Sequence, residues 1–269
     1  MKDVALPHPA KPHFKIAIFF MRYALYFAAD ADDRLMQLGN SWLGRDPFSG
    51  TALPQPELPG MTSARFQELT TDPRRYGFHG TLKAPFSLAA DQTEADLLDA
   101  CAAFAAEIAP YEIEALGVNR LGRFLALTPE AEEPALRAFA GLCVRRFEPF
   151  RAPLSEADLE RRRKSGLSER HDTYLVRWGY PYIFDEFRFH LTLSNKLEDD
   201  TDMERMANAA QDHFADVIGK KRLCRHVALY TEAERGAPFQ VHTVFQLTGS
   251  VAPADALSQA ERLSQEESA

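Results

Sequence analysis

The chain has 269 residues, 45% of them hydrophobic and 26% charged, with 31 Lys+Arg against 39 Asp+Glu for a formal charge of −8 at pH 7. A chain of that length and hydrophobicity buries a real core, which excludes a disordered tail and a disulfide-stapled mini-protein. The acidic balance argues against broad binding to long nucleic acid, and three scattered cysteines, Cys101, Cys143 and Cys224, argue against a disulfide framework or a structural zinc site.

In chain order, residues 1–14 show no period and read as a loose extension. Ile16 to Phe27 is aromatic and aliphatic, which predicts a buried strand. Its most apolar stretch, IAIFF at 16–20, is too short to span a bilayer, and no small-residue cleavage site follows. A cytoplasmic protein with no membrane partner is therefore expected. Leu35, Met36, Leu38 and Trp42 fall at helical spacing over 31–43. The Pro- and Gly-rich segment 44–60 admits no regular element, and a loop of that length is a candidate lid.

One order of elements then occurs twice. A helix over 62–71 leads to a strand at 77–86, a helix at 91–108, and strands at 111–117 and 123–128. Asp91 and Glu94 suggest a capping box for the second of these helices. After a helix over 132–148 and a charged segment at 155–166, a helix over 168–178 leads to a strand at 187–194. A helix at 201–217 and strands at 222–230 and 239–248 complete the second copy. One helix per two or three strands predicts an α+β fold with antiparallel sheets, and two similar halves predict two lobes facing each other.

The central strand of each copy carries the same local sequence, Phe78-His79-Gly80-Thr81-Leu82 and Phe189-His190-Leu191-Thr192-Leu193. Alternation along a strand puts Phe187, Phe189, Leu191 and Leu193 on one side and Arg188, His190 and Thr192 on the other. In the first copy His79, Thr81 and Lys83 share a face. Each strand thus offers an imidazole, a hydroxyl and a cation in line. Same-face neighbours lie about 7 Å apart, a spacing that lets His and Thr hold different oxygens of one phosphate. Such a pair suits phosphodiester cleavage without a metal or other cofactor: one neutral imidazole accepts a proton while an opposed imidazolium donates one. No HExxH or carboxylate cluster points to a metal.

These paired strands resemble the 2H phosphoesterase superfamily. Segments RYALYFA (22–28), LGRDPFSG (43–50), DPRRYGFHGTLKAPF (72–86), RWGYPYIFDEFRFHLTLS (177–194) and RGAPF (235–239) are similar to its DUF1045-like branch, encoded beside phosphonate-utilisation genes. The resemblance runs from about residue 21 to 248 and leaves 1–20 outside as an N-terminal extension. It implies a bilobal, pseudo-two-fold α+β fold, with two antiparallel sheets flanked by helices around a central cleft. That domain would cover 21–250, with a helical tail over 251–269. It implies His79 and His190 as an acid–base pair whose individual roles stay open, and Thr81 and Thr192 as phosphate ligands. Gly80 matches the small residue usual after the first His. The phosphonate connection implies a ribosyl 1,2-cyclic phosphate with a 5-phosphate as substrate.

Around this core, Lys83 and Arg188 are candidates to neutralise substrate phosphate, with a carboxylate-paired surface cation as the alternative. Tyr26 or Tyr23 lines the cleft. One of Arg74, Arg75 and Tyr76 reaches the ligand or caps a turn, and Arg45 supplies a cation from the loop. Tyr182 and Tyr180 stack on a base or sugar or pack their turn. The run ERRRK at 160–164 reads as a solvated helix face. His171, His213 and His226 read as ordinary histidines, and His242 as an outer neighbour. The partner expected is a small phosphorylated metabolite or nucleotide. The leading reading is a cyclic phosphodiesterase. The alternatives are an RNA-end enzyme acting on 2′,3′-cyclic or 2′,5′ linkages and a non-catalytic nucleotide-binding module.

Overall fold

A computed structural model describes residues 21–266, so the N-terminal extension and the start of the first expected strand lie outside the described residues. The described chain is α+β, with antiparallel sheets flanked by helices. No helix among the described residues is long and apolar enough to cross a membrane.

Strand β1 (Arg22–Phe27) is buried along almost its whole length. Helix α1 (Arg34–Leu43) starts where the Asp33 carboxylate accepts from the amides of Leu35 and Met36. The following loop forms no helix or strand, as its composition dictates, yet it is pinned in place. Gln55 donates to the Trp42 carbonyl at 2.7 Å, and Leu58 is buried. Helices α2 (Ser63–Leu69) and α3 (Thr71–Tyr76) lead into β2 (Gly80–Phe86). Helix α4 (Glu94–Glu107) carries its capping box on Thr93 and Asp96 rather than Asp91 and Glu94. Threonine's hydroxyl can accept from the amide three residues on while Asp96 reaches back. Then come β3 (Tyr111–Ile113), β4 (Leu116–Leu121), β5 (Phe124–Pro129), α5 (Pro134–Arg146), α6 (Glu156–Arg163) and α7 (Glu169–Trp178). The second His segment forms only a short strand, β6 (Leu191–Thr192), followed by α8 (Asp200–His213). Strands β7 (Arg222–Cys224), β8 (His226–Glu232) and β9 (Gln240–Gln246) precede α9 (Pro253–Glu266).

The expected antiparallel sheets divide their strands unequally. Seven strands join in the order β4-β5-β6-β2-β1-β8-β9, and β3 pairs only with β7. The two His segments meet at the middle of the large sheet, where Gly80 pairs with Leu191. Glycine permits that approach, because a Cβ there would overlap the Phe189 ring and sit 3.3 Å from Leu191. The hairpins are exchanged between the halves. β4-β5, from the first copy, lies beside the second His segment, and β8-β9, from the second, lies across β1 from the first His strand. From the helix side, the Trp42 indole donates to the Leu193 carbonyl at 2.9 Å and fixes the end of β6.

Candidate functional site

The first His strand owes its geometry to Gly77. This residue sits at φ 76°, ψ 163°, a conformation open essentially to glycine, and Pro47 leaves no room for a Cβ. The turn aims the Gly77 carbonyl at His79 Nδ1, 2.8 Å away. A carbonyl only accepts, so Nδ1 carries the hydrogen and Nε2 is left as the acceptor, with the Thr81 hydroxyl 3.2 Å from it. The second copy repeats the device: His190 Nδ1 donates to the Arg188 carbonyl at 2.8 Å. In both copies the partner is the carbonyl two residues earlier.

His79 is wedged between aromatic rings. Tyr26 stacks on it at 3.7 Å and 17°, and Tyr76 meets it edge-on at 6.5 Å. Burial pushes the His79 imidazole down to about 4, against the Gly77 hydrogen bond, which favours the cation; nearby His190 adds to the lowering. His79 is therefore neutral at pH 7. Tyr26 is itself buried, and its hydroxyl is held protonated by that burial.

Beside this pair lies a cleft of about 410 Å³, within the usual range of small-molecule sites. His190, Thr81, Arg188 and Tyr182 line it. Phe124 tilts against the His190 ring at 5.8 Å. Arg188 is exposed and forms no ion pair among the described residues. His79 stands behind Thr81, and Thr192 pairs with Ala126 without lining the cleft.

Four candidates lie elsewhere. Lys83 is buried and donates to Glu148 at 2.8 Å and to the Val144 carbonyl at 3.0 Å. The cause is a bulge: Tyr26 pairs with Thr81 and Leu25 with Lys83, so one step on β1 spans two on β2 and the alternation breaks at Leu82. Tyr23 is buried with its hydroxyl on Glu94 at 2.7 Å. Arg45 is not a lid cation; it is buried and aimed at the carbonyls of Arg74 and Arg75. No residue of 44–60 lines the cleft. Arg75 is drawn to the fully buried Glu232 at 3.2 Å, which also binds Arg22.

The cleft also contains Tyr180, weighed beside Tyr182 in the sequence, and His171, which reads from the sequence as an ordinary histidine. Tyr180 stands in its wall, edge-on to Tyr182 at 5.6 Å, and His171 lies edge-on to Tyr182 at 5.0 Å with Glu186 3.3 Å away. The aromatic run before the second His segment was the available signal; nothing marks His171. Among the described residues, no group of three or more His, Cys, Asp or Glu side chains is placed to hold a metal ion.

Comparison with known proteins gives two curated relatives, both named ribose 1,5-bisphosphate phosphokinase PhnN. The one from Janthinobacterium sp. (strain Marseille) is 40% identical over 221 residues, covering 81% of this chain and 49% of the relative. The one from Laribacter hongkongensis (strain HLHK9) is 33% identical, covering 82% and 50%. The chain thus spans about half the length of the curated relatives it matches. The crystal structure of TT0787 of Thermus thermophilus covers 86% of this chain and 100% of that one, at 14% identity and a TM-score of 0.38. Residues 81–240, more than half of the chain, from Thr81 on and so without His79 but with the second His segment, match the family described as protein of unknown function (DUF1045), and the chain belongs to that family.

Proposed function

We propose that the protein is a two-histidine phosphodiesterase that opens a small cyclic phosphate. The observation that carries this is the duplicated device: two His-x-Thr segments, adjacent in one sheet, each with Nδ1–H tied to the carbonyl two residues earlier. The exchanged hairpins support a pseudo-two-fold, bilobal domain of the 2H phosphoesterase kind over 21–250.

In this reading neutral His79 takes a proton from the attacking water through Nε2, and His190 as imidazolium protonates the leaving oxygen. Thr81 and Arg188, both in the cleft wall, steady the charge on the non-bridging oxygens. With a ribosyl 1,2-cyclic phosphate bearing a 5-phosphate, water adds to phosphorus and the bond from phosphorus to O2 breaks. The product is ribose 1,5-bisphosphate, the compound in the relatives' name. That coincidence supports the sugar phosphate as substrate and a place in phosphonate breakdown. The chain carries no GxxxxGK[ST] sequence, the phosphate cradle of P-loop kinases.

The test is a panel followed by ³¹P NMR with EDTA present: the ribosyl cyclic phosphate, nucleoside 2′,3′-cyclic phosphates, and ribose 1,5-bisphosphate with ATP. Ring opening of a cyclic phosphate is expected. Turnover of none of them refutes the phosphodiesterase, and ATP consumption with ribose 1,5-bisphosphate moves the reading to a kinase.

A further inference from the structure

The charged run at 160–164 contains one arginine unlike its neighbours. In α6, Arg161 is paired with Asp158 at 2.6 Å and Arg163 with Asp172 at 2.6 Å. Arg162, half-buried between them, forms no ion pair or side-chain hydrogen bond among the described residues. Asp158, one turn earlier on the helix, is already held by Arg161 and by Arg235 at 3.1 Å. The Arg162 guanidinium instead lies over the Tyr180 ring, 5.2 Å from its centroid. Tyr180 stands in the cleft wall that also holds Thr81, Arg188 and His190. The same corner holds Arg22, neutralised by Glu232.

A guanidinium withdrawn from water without a carboxylate carries an uncompensated desolvation cost, and burial accordingly pushes its pKa down. A bound anion would relieve that cost. The contact with Tyr180 holds the guanidinium against the cleft wall, and an arginine fork suits two-point binding of a phosphate.

We propose that Arg162, seated on Tyr180, is a second anion subsite that holds the remote phosphate of a sugar phosphate whose reacting group lies at His79 and His190. This rests on the phosphodiesterase reading and sharpens it: the preferred substrate carries two phosphates at opposite ends. A nucleoside cyclic phosphate, with an uncharged base at that end, leaves the subsite unfilled.

The experiment compares wild type, Arg162→Gln and Arg162→Lys on ribose 1,2-cyclic phosphate with and without its 5-phosphate. The ratio of kcat/KM for the two substrates is expected to fall about 10- to 100-fold in Arg162→Gln, the scale of one charge-assisted hydrogen bond, with the loss in KM. Arg162→Lys should recover part of it. An unchanged ratio, with both substrates still turned over, overturns the subsite and leaves the phosphodiesterase standing. In parallel, calorimetry with ribose 5-phosphate should give binding to wild type that weakens about 10-fold or more in Arg162→Gln. If that difference appears while no cyclic phosphate is turned over, the subsite holds and the phosphodiesterase reading fails. Equal ribose 5-phosphate affinity in the two proteins counts against the subsite whatever the kinetics.

Discussion

The neutral state of His79, half-buried against Tyr26, makes stability depend on pH in a way that can be isolated. Its imidazole has an ordinary value of 6.5 in the unfolded chain and is pushed down to about 4 in the fold, mainly by burial. At pH 5 the unfolded imidazole is about 97% protonated and the folded one about 9%. The unfolded chain then binds more protons, so stability falls as pH drops from 6.5 towards 4 and the loss levels off below that. Integrated from pH 7 to pH 5, His79 alone removes about 2 kcal/mol. Other groups titrate in the same window, so the useful quantity is a difference. His79→Phe keeps an aromatic ring against Tyr26, 3.7 Å away in the parent, and removes the titration. Urea unfolding of both proteins at pH 7, 6 and 5 should show wild type losing about 2 kcal/mol more than the variant. A gap that stays constant to within about 0.5 kcal/mol would refute the neutral imidazole.

Three further outcomes follow from the same geometry. Because His79 is neutral well below pH 6.5, the acid limb of kcat/KM should lie nearer pH 4–5 than pH 6.5, measured as a pH–rate profile on whichever cyclic phosphate is turned over. Gly80→Ala forces a methyl into the Phe189 ring between the two His segments, so a loss of about 1–3 kcal/mol in urea melts and a fall in kcat are expected. Lys83→Met removes a buried partner of Glu148 that does not line the cleft; it should cost about 1–3 kcal/mol of stability while kcat/KM stays within about threefold, and a collapse of activity with stability intact would restore Lys83 to the site.

The two His-x-Thr segments were legible because period-2 alternation and duplication are local signals, and Phe78 and Phe189 do go to the core. The α+β class was legible from the order of elements. Lys83 was misplaced because a bulge is one extra residue in a register that only the partner strand defines. Arg75 and Arg45 were misplaced because their partners come from far along the chain or from backbone carbonyls: Glu232 lies 157 residues after Arg75. The exchange of hairpins between the halves, and the seven-stranded sheet it produces, depend on long-range pairing that no local pattern records. Arg162 looked like one charge in a solvated run. Only the fold shows that its two neighbours take the available acids and leave it on Tyr180.

The paired-histidine chemistry is tested most directly by single-turnover hydrolysis of ribose 1,2-cyclic phosphate 5-phosphate with wild type, His79→Ala and His190→Ala, in EDTA, with products read by ³¹P NMR. Wild type should yield ribose 1,5-bisphosphate, and each variant should be slower by about 10²- to 10⁴-fold, the usual worth of a positioned proton donor or acceptor. A near wild-type rate in either folded variant would contradict the paired acid–base scheme.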